Sequence, residues 1–205
     1  MLPSRQVASI ILPPRTILIP KLPARITEPF SLIINEEHAA EIASWVDRND
    51  NAYSITNNPY ELKLILRGTR DGFTADSFWN LCDRQKHLVI VIKVKDTDEI
   101  LGGYNPIGNI YIDSFIFSLK NETIQNSILS RVKDPKHAII CWIERGPYFG
   151  YDLAMKKNFN ENENYSACHL YYEKQIRDSS MYGNDNFSKF SVEEYEIFQI
   201  SKKTF

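Results

Sequence analysis

Seven consecutive residues, Leu88 to Val94 (LVIVIKV), constrain the fold more than any other stretch of the chain. A continuous β-branched run of this length has no polar face, so it reads as a strand buried on both sides, and the chain must supply cover for each side. Tyr60 to Arg67 differs: Tyr60, Leu62, Leu64 and Leu66 alternate with Glu61, Lys63, Ile65 and Arg67, the period-2 pattern of a half-buried strand ending at Gly68. Further strands are expected at Ser114 to Leu119, Ala138 to Ile143 and Glu194 to Ile200. Asp96, Thr97 and Asp98 form a turn into EILGGYN, whose paired glycines signal a bulge or a close backbone approach. Strands joined by short turns, with helices in few places, predict antiparallel sheets and an α+β or sandwich architecture.

Two helices are legible. Asn35 followed by Glu36 and Glu37 is a capping side chain with acids at the positive end of the helix dipole. Ala39, Ile42, Ala43 and Val46 then recur at helical spacing, beside Trp45 and closed by Asp47 to Asn49. Thr74 caps a second, shorter helix in which Phe78, Leu81 and Cys82 share a face. The asparagine- and glutamate-rich stretch Asn158 to Asn164 reads as a mobile surface loop.

At 205 residues the chain suits one substantial core rather than two domains. Its composition, 43% hydrophobic and 24% charged, is that of a globular protein, and no apolar run approaches the roughly 20 residues of a bilayer span. Val7 to Leu12 is too short for a secretory leader and is stopped by Pro13 and Pro14, so a cytoplasmic location is expected. A net charge of −2 favours neither nucleic acid nor an anionic membrane. Residues 1–29 depart from the average: Arg5, Arg15, Lys21 and Arg25 face one acid, Glu28, and six of the ten prolines fall here. Such a segment runs extended, so residues 1–29 read as a basic, proline-rich linker or arm and 30–205 as the folded domain.

Chemistry-bearing motifs are scarce. The chain has no Walker loop, GxGxxG helix start, HExxH, GxSxG or CxxC. Cys82, Cys141 and Cys168 are odd in number and widely spaced, which fits free thiols; Cys82 falls on an apolar helix face, Cys141 inside an expected strand, and Cys168 beside His169 after a polar loop. His38, His87, His137 and His169 are isolated from one another. No catalytic, cofactor or metal residue is therefore assigned, and the expectation is a protein that is not an enzyme. What distinguishes the chain is three glycine-containing segments: RGTRDGF (67–73), LGGYN (101–105) and RGPYFGYD (145–152). In one reading each glycine supplies φ > 0 or room for a crossing backbone, and Asp71 and Asp152 bond nearby amides. In the other, the three turns gather at one end of the sheets and present Arg67, Arg70 and Asp71 to a ligand.

The ordered succession LILRGTRDGFTADSFWNLCD, EILGGY, DSFIFSL, AIICWIERGPYFGYDL and YEIFQI resembles the TLDc domain over residues 60–200. The upstream EPFSLIINEEHAAEIASWVDR looks like the amino-terminal helix region of fungal TLDc proteins that carry a BTB domain. The resemblance implies a sandwich of two antiparallel sheets flanked by a few helices. It also implies a non-catalytic interaction domain linked to oxidative-stress protection, partnered by the vacuolar-type proton ATPase and held at an organelle membrane through that partner. Two alternatives stay open: the substrate-recognition part of a BTB-type ubiquitin-ligase adaptor, and an antioxidant enzyme whose candidates are Cys168 and the acidic turns. The family motif falls on Arg67, Gly68, Arg70, Asp71, Gly72 and Phe73, on Gly102, Gly103 and Tyr104, and on Gly146, Pro147, Phe149, Gly150, Asp152 and Leu153. Thr69 stands where the family has serine and keeps the hydroxyl.

Overall fold

A computed structural model describes residues 28–106, 111–120, 123–142, 144–167, 170–177 and 187–204. Helix α1 (Glu36–Val46) precedes strand β1 (Tyr60–Arg67), a single helical turn α2 (Gly68–Asp71) and helix α3 (Ala75–Cys82). Strands β2 (Leu88–Val94), β3 (Glu99–Asn105), β4 (Phe115–Lys120) and β5 (Thr123–Arg131) follow, then four short strands, β6 (Tyr148–Phe149), β7 (Leu153–Ala154), β8 (Asn164–Ala167) and β9 (Phe187–Phe190), and finally β10 (Val192–Lys202). All pairings are antiparallel and make two sheets, ordered β1-β10-β2-β3-β4-β5 and β6-β7-β8-β9. The expected mostly-β sandwich with few helices is what the chain forms. Among the described residues no helix is long and apolar enough to cross a membrane.

The run Leu88–Val94 explains the layering. Leu88, Ile90, Ile92 and Val94 face a core shared with α3 and the small sheet, to which Phe149, Leu153, Phe159 and Phe190 contribute. Val89 and Val91 face a second core, closed by Ile33, Ile34, Ile42 and Ala43 from the amino-terminal segment and α1. Period-2 alternation along one central strand therefore requires both covers at once. Asn35 caps α1 by accepting from the His38 N–H at 2.8 Å, and Thr74 caps α3 by accepting from Ser77 N–H at 3.2 Å.

Four local readings need correction. The alternation of β1 breaks at a bulge between Leu64 and Leu66: Tyr60, Leu62 and Leu64 lie with the α1-side core, but Leu66 turns to the inter-sheet core. One extra residue flips the faces and places Arg67 opposite Glu196. Leu81 is 39% exposed rather than sharing the face of Phe78 and Cys82, because Ala75, Phe78, Trp79 and Cys82 already fill that arc of α3. The described residues 138–142 form no strand; Ile140 N–H makes one bond to Tyr148 O, and Cys141 is exposed. The stretch 158–164 is a surface turn with residues 160–163 exposed, but its ends are anchored. Phe159 and Asn164 are fully buried at its ends, and the Asn164 amide donates to the carbonyls of Phe159, Glu161 and Phe190 while accepting from Lys156 N–H. Residues 1–27 of the expected arm lie outside the described residues. Glu28 and Pro29 dock on the domain.

Candidate functional site

Arg67 is the hub of the RGTRDGF segment. Its Nε donates to Glu196 at 2.6 Å, one Nη to Glu28 at 2.6 Å and the other to the Pro29 carbonyl at 3.2 Å. Glu196, fully buried, also accepts from Leu32 N–H at 3.0 Å and from the Ser31 hydroxyl. An arginine fork thus ties the entering chain to the middle of the large sheet, the geometry for which a planar guanidinium is suited. The Arg67 side chain is 4% exposed, so it is not presented to a ligand. Arg70, one turn on, is 41% exposed; it pairs with Asp71 at 2.9 Å and Glu28 at 3.1 Å. The hydrogen bond from Arg70, with the Arg67 N–H and both guanidinium charges in support, holds the Asp71 carboxyl below its ordinary range. Glu194 closes the rest of the turn by accepting from the Thr69 hydroxyl at 2.5 Å and N–H at 3.2 Å, so the hydroxyl kept at this position is used.

LGGYN is not a turn but the middle of β3. A Cβ on Gly102 would stand 2.2 Å from the Phe117 ring and 2.4 Å from Ile90 O, and one on Gly103 would stand 2.5 Å from Phe149. The two glycines make room for rings from opposite sides of the sheet. Tyr104 is buried, its hydroxyl 2.9 Å from His87 Nδ1. In the third segment Gly146, Pro147, Phe149, Gly150, Asp152 and Leu153 are all buried. Gly150 holds φ +57° at the hairpin, a backbone region that disfavours side chains. The Asp152 carboxylate bonds no amide of its own turn; it accepts from Leu170 and Tyr171 N–H, each at 2.7 Å, so it clamps a remote segment. Burial raises its carboxyl pKa, and those two bonds pull it back.

The three segments are joined through the interior and not at a common rim. The Phe73 ring lies 5.7 Å from Tyr195, Tyr195 meets Phe159 edge-on at 5.1 Å, and Phe159 fills the space that a Gly146 side chain would take. Ten of the fourteen candidate interaction positions are buried: Arg67, Gly68, Gly102, Gly103, Tyr104, Gly146, Pro147, Phe149, Gly150 and Asp152. Asp71, Gly72 and Phe73 are half-buried and Arg70 alone is exposed. The motif is thus a set of packing and clasping devices with one outward ridge.

The family model for the TLDc domain matches residues 28–201, beginning at the glutamate that closes the Arg67 clasp. The chain belongs to the TLDc domain family. A search of curated proteins finds no match to it.

The titratable side chains of this TLDc domain are mostly engaged in structural bonds. His38 completes the α1 capping box, and His137 pairs with Asp134 at 2.7 Å. Burial in α3 pushes the Cys82 thiol up to about 12, and desolvation raises Cys141 as well, so neither is poised as a thiolate. Cys168 and His169 lie outside the described residues. Among the described residues no group of three histidine, cysteine or acidic side chains is placed to hold a metal ion.

One concave site escaped the sequence reading. On the outer side of the small sheet a cavity of about 530 Å³ is lined by Arg145, Tyr151, Lys156, Asn162, Tyr165, Phe187 and Lys189. Arg145 and Tyr151 come from the RGPYFGYD segment, at positions outside the family motif, and the other five residues come from stretches without one. Only the alternation Phe187-Ser188-Lys189-Phe190, exposed-buried-exposed-buried, carries a local signal.

Proposed function

We propose that this TLDc domain is a non-catalytic protein-interaction module that binds the vacuolar-type proton ATPase on the cytoplasmic side of an organelle membrane and serves in protection against oxidative stress. The family match over residues 28–201 carries this reading. Two features support it. His38, His137, Asp71 and Asp152 are committed to caps, clamps and clasps, and the motif meets the surface only along the ridge of Arg70, Asp71, Gly72 and Phe73. An arginine on a ridge backed by packed aromatic side chains suits an interface anchor.

Affinity capture from cell extract with the purified chain, followed by identification of bound proteins, tests the proposal. Recovery of proton-ATPase subunits is expected. Recovery of a cullin-type ligase without the pump, or peroxide consumption by the purified chain, overturns it.

A further inference from the structure

The outer cavity of the small sheet differs from the other concave sites in its charge balance. The hollow at Lys93 and Lys95 carries Asp96, Asp98 and Glu193 within its own wall, and so neutralises itself. The small-sheet cavity gathers Arg145, Lys156 and Lys189, and among the described residues the one carboxylate bonded to them is Glu163, on Lys156 at 3.0 Å.

The cations are held by rings. The Arg145 guanidinium lies 4.4 Å from the Trp142 ring centroid and 5.6 Å from that of Tyr148, and donates to the Tyr148 hydroxyl at 3.2 Å. The Lys156 ammonium lies 5.7 Å from the Tyr165 ring centroid, and Lys189 stands directly opposite Tyr165 across the β8–β9 pair. The Tyr148 and Tyr165 hydroxyls bond each other between them. Stacking orders a guanidinium or ammonium without neutralising it, so the charge remains available to an incoming anion. At the rim Phe187 is 40% exposed, edge-on to Tyr165 at 5.2 Å, and offers a ring that no core contact requires.

We infer that this cavity binds a small anionic ligand bearing a flat ring, of the class of a mononucleotide, with its phosphates on Arg145, Lys156 and Lys189 and its ring against Phe187. The volume, about 530 Å³, is that of a small-ligand site. A cluster of three cations suits phosphates better than a single carboxylate, because one arginine supplies a fork and two lysines supply point charges. The inference does not rest on the pump partner, since it concerns the outer face of the small sheet rather than the Arg70 ridge, and it involves no covalent step.

Calorimetric titration of the full chain with ATP, pyrophosphate, adenosine and a hexaglutamate peptide tests it. ATP is expected to bind with a dissociation constant below about 1 mM, pyrophosphate more weakly and adenosine not measurably. Lys189→Glu should weaken ATP at least about tenfold. Phe187→Ala should weaken ATP severalfold and leave pyrophosphate unchanged. Both residues are exposed, and an unaltered circular dichroism spectrum confirms that the variants are folded. Absence of ATP binding at about 5 mM, an unchanged affinity in Lys189→Glu, or hexaglutamate binding more tightly than ATP overturns the inference; the last outcome would make the cavity a docking site for acidic protein segments.

Discussion

Arg67 and Lys189 carry the same charge in opposite settings, and so do the regions around them. Around Arg67 every cation has a carboxylate: Glu196 and Glu28 on Arg67, Asp71 and Glu28 on Arg70. Around Lys189, Arg145 and Lys156 lie against aromatic rings, the one carboxylate bonded to them is Glu163 on Lys156, and the space in front is open. A buried charge without a counter-ion is costly, so the buried Arg67–Glu196 pair belongs to the fold, whereas the exposed Arg70 and the cations at the open cavity can meet another molecule. This contrast separates the buried part of the family motif, which frames the domain, from the surfaces available to recognise another molecule.

The sharpest way to break the comparison is Arg67→Ala. Removing the guanidinium leaves Glu196 buried and unpaired and frees residues 28–32, so urea unfolding should show a loss of about 3–5 kcal/mol. A loss below about 1 kcal/mol would place the clasp with ordinary surface pairs. Asn164→Ala should follow at about 1–3 kcal/mol, since it removes the amide that bonds Lys156 N–H and the carbonyls of Phe159 and Phe190. By contrast, Lys189→Ala should change stability by no more than about 0.5 kcal/mol in the same assay.

These expectations also show what was legible in the residues. The central strand could be read because both its faces are apolar, and α1 because a cap and a periodic face agree. Arg67 could be recognised as a motif position but not as buried, since the bulge at Leu64–Leu66 that turns it inward depends on its partner strand β10. The small sheet was illegible for a related reason. Its strands β6 and β7 have two residues each, too few for any period, and are held by remote side-chain bonds such as Ser166 to Asp152 O at 2.8 Å. Asn164 sits in a stretch whose composition signals a loop, and only its bonds, above all the one to the remote Phe190 carbonyl, reveal an anchor. The basic cavity joins irregularly spaced residues of 145–165 to Phe187 and Lys189, so no periodic spacing announces it.

Acidification sharpens the contrast within the motif itself. Asp71 has its folded pKa depressed, chiefly by Arg70, so its stabilisation is present above the unfolded value near about 3.9 and disappears as pH falls through the depressed folded value. Asp152 runs the other way: burial raises its folded pKa, so its relative stabilisation is present below the unfolded value and is lost as pH rises through the raised one. Asp71→Asn should therefore flatten the acid limb of a stability–pH profile, and Asp152→Asn should steepen it. Identical limbs in both variants and the parent would remove these two carboxylates from the account.

The central claim, that the motif frames the domain from within and meets a partner only along its ridge, is tested most directly on Arg70→Ala. Thermal unfolding and capture of the vacuolar-type proton ATPase are measured on the same preparation. Arg70 is 41% exposed and its ion pairs face solvent, so the stability change should be about 0–1 kcal/mol and the midpoint nearly that of the parent. Capture should fall by at least about tenfold, as expected when an interface arginine is removed. Undiminished capture with an unchanged midpoint, or a joint collapse of midpoint and capture, would contradict the claim.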